Sequence, residues 1–175
     1  MTHSTIEAVH QIQEVARIQP SEIEKIKIFV AKGCCDVCGI PIPETGLEAK
    51  FSLRFCAASV IAGLDTARLD TFSDENTKEP VLAGLLEKVE VTEKSSLDRM
   101  EAEVTVSTKA GIVHFKKYDA GIPAADLVLQ WEKLVKKFNG CAEPIIGKDK
   151  STKIVSTVHA LQNLDDISDL VELLS

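Results

Sequence analysis

From Ala49 to Gly63 the chain is apolar around most of a helical circumference, so this segment is predicted to be a buried helix. Phe51, Phe55, Ala58 and Ala62 share one stripe, and Leu53, Ala57, Val60 and Ile61 widen it. Its start nevertheless carries two cations, Lys50 and Arg54, one turn apart. Like charges at i and i+4 repel, and cations near a helix N-terminus oppose the macrodipole, each at a cost of roughly 0.3 to 1 kcal/mol. An anion is therefore expected to compensate them. Two sources stand open, a protein carboxylate such as Glu48 or the carboxylate of a bound ligand.

The flanking patterns mix both secondary-structure periods. Thr5 to Arg17 places Ile6, Val9, Ile12 and Ala16 on one helical face and ends before Pro20. Ile26, Ile28 and Val30 alternate with charged or bulky neighbours and predict a strand. Gly33 to Gly46, rich in Cys, Gly and Pro, reads as a loop, and Leu64 to Lys78 as a turn-rich crossing. Pro80 opens a helix with Val81, Leu82, Leu85 and Leu86. Strands are predicted over 87–93, 101–108 and 112–118, the last two joined by a tight turn at Lys109-Ala110-Gly111. A helix with Leu127, Trp131, Leu134, Val135 and Phe138 on one stripe is predicted to start at Pro123 and end at Gly140, with a loop or hinge over 139–149. Two helices, over 150–164 and 165–174, complete an α+β pattern.

With 175 residues, the chain is long enough for a full core, and one domain over 1–175 is the simplest organisation. A net charge of −7, with one Trp and one Tyr, argues against nucleic acid as a partner. No apolar run approaches the ~20 residues needed to span a bilayer, and residues 1–20 lack the pattern of a signal peptide, so a cytoplasmic location without membrane contact is expected.

Cys35-x-x-Cys38 has the spacing of thiolate metal sites and redox pairs, but no second such pair occurs. Reduced thiols are the expectation, with Cys56 and Cys141 as small buried hydrophobes. His114 and His159 read as surface or satisfied core groups. Nucleophile elbows, phosphate loops and dinucleotide fingerprints are absent from the sequence. Asp74 and Glu75 could act as general acid/base carboxylates or simply belong to a turn.

Gly46-Leu47-Glu48-Ala49-Lys50-Phe51-Ser52-Leu53 resembles the G-x-E-A-K-F-S-L of the MmgE/PrpD family, and His3-Ser4-Thr5-Ile6-Glu7-Ala8 resembles the H-x-T-I-D-A that opens its C-terminal domain. Phe72-Ser73-Asp74-Glu75, Lys137-Phe138 and Leu161-Gln162-Asn163-Leu164-Asp165-Asp166 extend the resemblance. It implies an α+β fold with a small, mainly antiparallel sheet packed with helices. The family, which includes 2-methylcitrate dehydratase, cis-aconitate decarboxylase and iminodisuccinate epimerase, moves protons next to carboxylates without metal or organic cofactor.

The resemblance also implies that the family's N-terminal helical domain, which carries much of the acid/base machinery, is absent from this sequence. Such a domain or subunit would be the expected partner, and a small polycarboxylate the expected substrate. Lys50 would then position a carboxylate and His3 would lie at the domain junction, while Arg54 is a candidate through helical spacing alone. Metal ligands are not expected. A non-catalytic binding or scaffolding module that kept the fold is the rival expectation, and a thiolate metal protein the third.

Overall fold

A computed structural model describes residues 2–174. The chain divides into two compact units, one formed by the described residues of Met1–Thr66 and Asp70–Pro123, the other by those of Ala67–Leu69 and Ala124–Ser175. The first unit has the α+β architecture that the mixed periods imply. Its elements are α1 (His3–Ala16), β1 (Ile23–Ala31), α2 (Cys35–Cys38), α3 (Gly46–Lys50), α4 (Leu53–Ile61), α5 (Pro80–Leu86), β2 (Val89–Lys94), β3 (Glu101–Thr108) and β4 (Val113–Asp119).

The four strands form one sheet in the order β2-β1-β3-β4. β1 pairs parallel with β2 and antiparallel with β3, and β3 pairs antiparallel with β4 across the Lys109-Ala110-Gly111 turn. Gly111 has φ 80°, where L side chains are strained, and its N–H donates to Thr108 O at 2.9 Å. The parallel β1–β2 pair requires the intervening chain to cross from one end of the sheet to the other. α2 to α5 lie in that crossover, together with the motifs at 46–53 and 72–75.

Period-2 alternation gives the sheet one buried face. Ile26, Ile28 and Val30 of β1, Val89 of β2, and Ala102, Val104 and Val106 of β3 are all buried. Ala8, Val9 and Ile12 of α1, the apolar side chains of α4, and Leu82, Leu85 and Leu86 of α5 join them in one core. On the more exposed side, Lys25–Glu90 (2.6 Å), Lys94–Glu103 (2.8 Å) and Lys117–Glu101 (2.7 Å) are ion pairs. Such exposed pairs contribute little to stability, although they keep the strands' outer side polar.

The continuous helix expected over 49–63 is interrupted at Phe51–Ser52. Ser52 is extended (φ −111°, ψ 107°) and fully buried, and its Oγ accepts from Phe55 N–H at 3.1 Å while donating to Ile40 O at 2.7 Å. It is thus the N-cap of α4, and a Gly39–Ser52 bridge holds the preceding loop alongside. The expected loop over 33–46 contains α2. Ser52→Ala would remove the cap and leave the Ile40 carbonyl without its donor. We expect a loss of about 2 kcal/mol in urea unfolding; a loss under about 0.5 kcal/mol would mean that the break does not depend on this hydroxyl.

The second unit contains α6 (Leu127–Ile146), α7 (Lys148–His159) and α8 (Ser168–Leu174). α6 begins four residues after Pro123, because Asp126 accepts from Leu129 N–H at 3.0 Å as its N-cap. It also runs through Gly140, whose missing side chain makes room for Ala67 O; a Cβ there would lie 3.2 Å from that oxygen. Gly147, at φ 79°, ends it, so the segment expected as a hinge is mostly helical. α7 stops at His159 and a 3-10 turn follows at Leu161–Asn163. Asp166 Oδ1 accepts from Ser168 N–H, which holds the Asp166 carboxyl below its ordinary range.

Candidate functional site

The interruption at Ser52 changes the setting of the two cations. Lys50 is the last residue of α3, where a positive charge suits the helix dipole, and it is exposed. Arg54 is the second residue of α4, opposed to its dipole, and half-buried. They are therefore not an i, i+4 pair on one helix. Arg54 acts on Glu90, whose carboxyl is held below its ordinary range chiefly by a hydrogen bond from Lys25, with Lys27 and Arg54 adding to it. Among the described residues, Lys50 has neither an ion pair nor a side-chain hydrogen bond.

Glu48 does not compensate Lys50. Its Oε2 accepts from Glu44 N–H at 2.7 Å, and Thr45 Oγ1 accepts from Glu48 N–H at 3.2 Å, so the two residues close the start of α3 in the manner of a capping box. That start is also gripped from the motif at 72–75. Asp74 Oδ1 accepts from Gly46 N–H at 2.7 Å, and Thr77 Oγ1 is placed to donate to both Asp74 O (2.9 Å) and Glu44 O (3.2 Å). Gly46 lies directly under Phe72 O, which would be 2.2 Å from a Cβ. The two motifs are thus one structural piece, which neither local pattern announced.

His3 is the exposed first residue of α1, and the next residue, Ser4, donates through Oγ to Met100 O. The link to the cations runs through Cys56. This thiol is 1% exposed, accepts from the Thr2 side chain and donates to Ala49 O at 3.8 Å. Thr2 precedes His3 and Ala49 precedes Lys50, and Arg54 lies two residues before Cys56 on α4. The fold therefore gathers the backbones of the three candidates around one buried thiol, with no direct hydrogen bond or ion pair among them.

Burial pushes the Cys56 thiol up to about 12 from an ordinary value of 9.0, with Cys38 adding to the shift. A thiol that stays protonated in the folded state but ionises when unfolded binds more protons in the native state between those values. Stability must then fall as pH rises through 9. We expect the urea midpoint to decrease from pH 8 to pH 11 and Cys56→Ala to flatten much of that slope; an unchanged slope would place Cys56 in a wetter setting.

The two C-x-x-C thiols are free and sit in different surroundings. Cys35 lies by Glu93, whose Oε1 accepts from both Gly33 N–H (2.9 Å) and Cys35 N–H (3.0 Å), whereas Cys38 is buried and acts on Cys56. Burial raises both thiols, with the Glu93 charge adding at Cys35. Among the described residues, no three His, Cys, Asp or Glu side chains are grouped to hold a metal. Cys141 is half-buried and donates to Ala67 O, and the His159 ring lies 5.1 Å from Trp131.

A family model for the MmgE/PrpD C-terminal domain matches residues 1–163. The chain belongs to the MmgE/PrpD family. This match takes in α1, the whole sheet, the α3–α4 break and the Asp74 turn, and it continues through α7. Among curated proteins, cis-aconitate decarboxylase of Mus musculus is 27% identical over 139 residues, which is 77% of this chain. The chain spans 28% of that relative's length. No helix among the described residues is long and apolar enough to cross a membrane.

Proposed function

We propose that this chain supplies the C-terminal wall of a carboxylate lyase or isomerase of the 2-methylcitrate dehydratase type, in the cytoplasm, and that it acts together with a helical MmgE/PrpD domain or subunit. The observation that carries the reading is Lys50 inside the family motif, exposed and without a side-chain partner among the described residues. A small polycarboxylate would give Lys50 the anion that Glu48 does not provide, while Arg54 and His3 would add charge and a donor nearby. Proton removal beside a carboxylate builds negative charge on that carboxylate, and a fixed cation lowers the barrier by stabilising the charge. The base is assigned to the helical partner, and the reaction uses no metal or organic cofactor.

The test is complementation. The chain is mixed with a matching helical domain and assayed for turnover of 2-methylcitrate and cis-aconitate. Restored turnover, reduced at least tenfold by Lys50→Ala, is the expected result, since a lost charge-assisted contact costs about 1.5 to 3 kcal/mol. A stable, well-folded complex without turnover would overturn it.

One observation favours a second reading, in which the chain is a non-catalytic binding module. α6 has no buried residue, and its Leu127, Val128, Leu129 and Leu134 are exposed. A stable complex that binds citrate without turning over any polycarboxylate is the result this reading predicts.

A further inference from the structure

α3 is only five residues long, too short to hold itself together as an isolated helix. Lys50, at its end, has no side-chain partner among the described residues, so its place is set by what anchors the α3 backbone. At the far end that anchor is Ser52. At the near end three contacts converge on Gly46 and its neighbours: the Thr45 cap, Phe72 O pressed against Gly46, and the 2.7 Å bond from Gly46 N–H to Asp74 Oδ1.

We propose that Asp74 is a positioning residue, which sets the start of α3 through Gly46 N–H and thereby holds Lys50 where it meets a substrate carboxylate; this rests on the role of Lys50 proposed above. Asp74 is the contact best suited to this task. It is a carboxylate at a helix start, where the backbone N–H groups and the dipole both favour negative charge, and its bond is charge-assisted. The Thr77 hydroxyl, within reach of both the Asp74 and Glu44 carbonyls, prevents the two strands of chain from sliding past each other. The bond occupies one Asp74 oxygen, so its work is done through the backbone and not on the reacting atoms. An asparagine oxygen could accept the same hydrogen bond, and an alanine could not.

Citrate titrated into the isotope-labelled full chain, followed by NMR, tests this. Lys50→Ala is expected to weaken citrate binding about tenfold, and Asp74→Ala about fivefold, with Asp74→Asn within about twofold of the wild type. In a Lys50→Ala background, Asp74→Ala should add less than about twofold, because both changes act on one contact. The Gly46 amide proton should move upfield in Asp74→Ala and stay near its wild-type position in Asp74→Asn. If Lys50→Ala weakens citrate while Asp74→Ala does not, the positioning role is overturned and the carboxylate reading stands. An Asp74→Ala loss that persists undiminished without Lys50, or that asparagine fails to rescue, also overturns it. Citrate that does not bind the wild type, or binds Lys50→Ala equally well, overturns both.

Discussion

Phe55→Ala is expected to destabilise the protein by about 4 kcal/mol, the largest effect of any single substitution considered for this chain. Phe55 is fully buried in the first turn of α4, and its ring lies 6.2 Å from that of Phe72 at a 46° tilt. Truncation removes the transfer free energy of the ring and leaves a cavity, because α4 is held at its start by Ser52 and cannot collapse inward freely. A folded domain of this size has about 5 to 15 kcal/mol to lose, so the variant should unfold at a much lower urea concentration with an unchanged m-value. The loss should also reach the candidate site, because Phe72 carries the carbonyl over Gly46 and leads into Asp74. Citrate binding, measured where the variant is still folded, should weaken. A cost below about 1 kcal/mol would show that the core around Phe55 relaxes far more than close packing allows.

Where a side-chain period extends over several residues, the fold was legible in the sequence. The alternation of Ile26, Ile28 and Val30, the stripe of α1 and the turn at Gly111 each follow from local pattern, and together they give the α+β class. The α3–α4 break did not follow, since Phe51-Ser52-Leu53 remains apolar enough to continue a helix. What decides it is a hydrogen bond from Ser52 to Ile40, twelve residues back. Ser52 before Leu53-Arg54-Phe55 does carry a local N-cap signal, a hydroxyl just ahead of an apolar run, but the longer stripe from Ala49 outweighed it. Gly140 misled for a related reason. A glycine near a helix end usually ends the helix, yet this one serves a close approach to Ala67 O that only the tertiary structure defines. At the candidate site, Lys50 is legible from the motif, whereas its lack of an ion pair with Glu48 is not, because Glu48 is taken up by Glu44 N–H. The Gly46–Asp74 bond joins the first residue of α3 to a turn 28 positions further on, so no period or propensity could announce it.

Gly46→Ala is expected to cost about 3 kcal/mol, although alanine is the better helix former. An alanine Cβ would lie 2.2 Å from Phe72 O, 2.8 Å from Phe72 C and 3.0 Å from Ser73 Cα, all backbone atoms that cannot rotate away. Either the turn at 72–75 or the start of α3 must move, and both movements stretch the 2.7 Å bond to Asp74. Gly84 supplies the opposite case within the same molecule. It lies inside α5, exposed, and a Cβ there meets nothing within 4 Å. Gly84→Ala should therefore stabilise by about 0.5 to 1 kcal/mol, through helix propensity and the smaller entropy of the unfolded chain. Urea unfolding of the pair separates packing from propensity, since the substitution is chemically identical and only the surroundings differ. Citrate binding carries the argument to the site: Gly46→Ala should weaken it at least as much as Asp74→Ala, and Gly84→Ala should leave it unchanged. Equal stability changes at the two glycines would mean that α3 is not pressed against the Phe72 turn, and the route from Asp74 to Lys50 would then lose its rigid link.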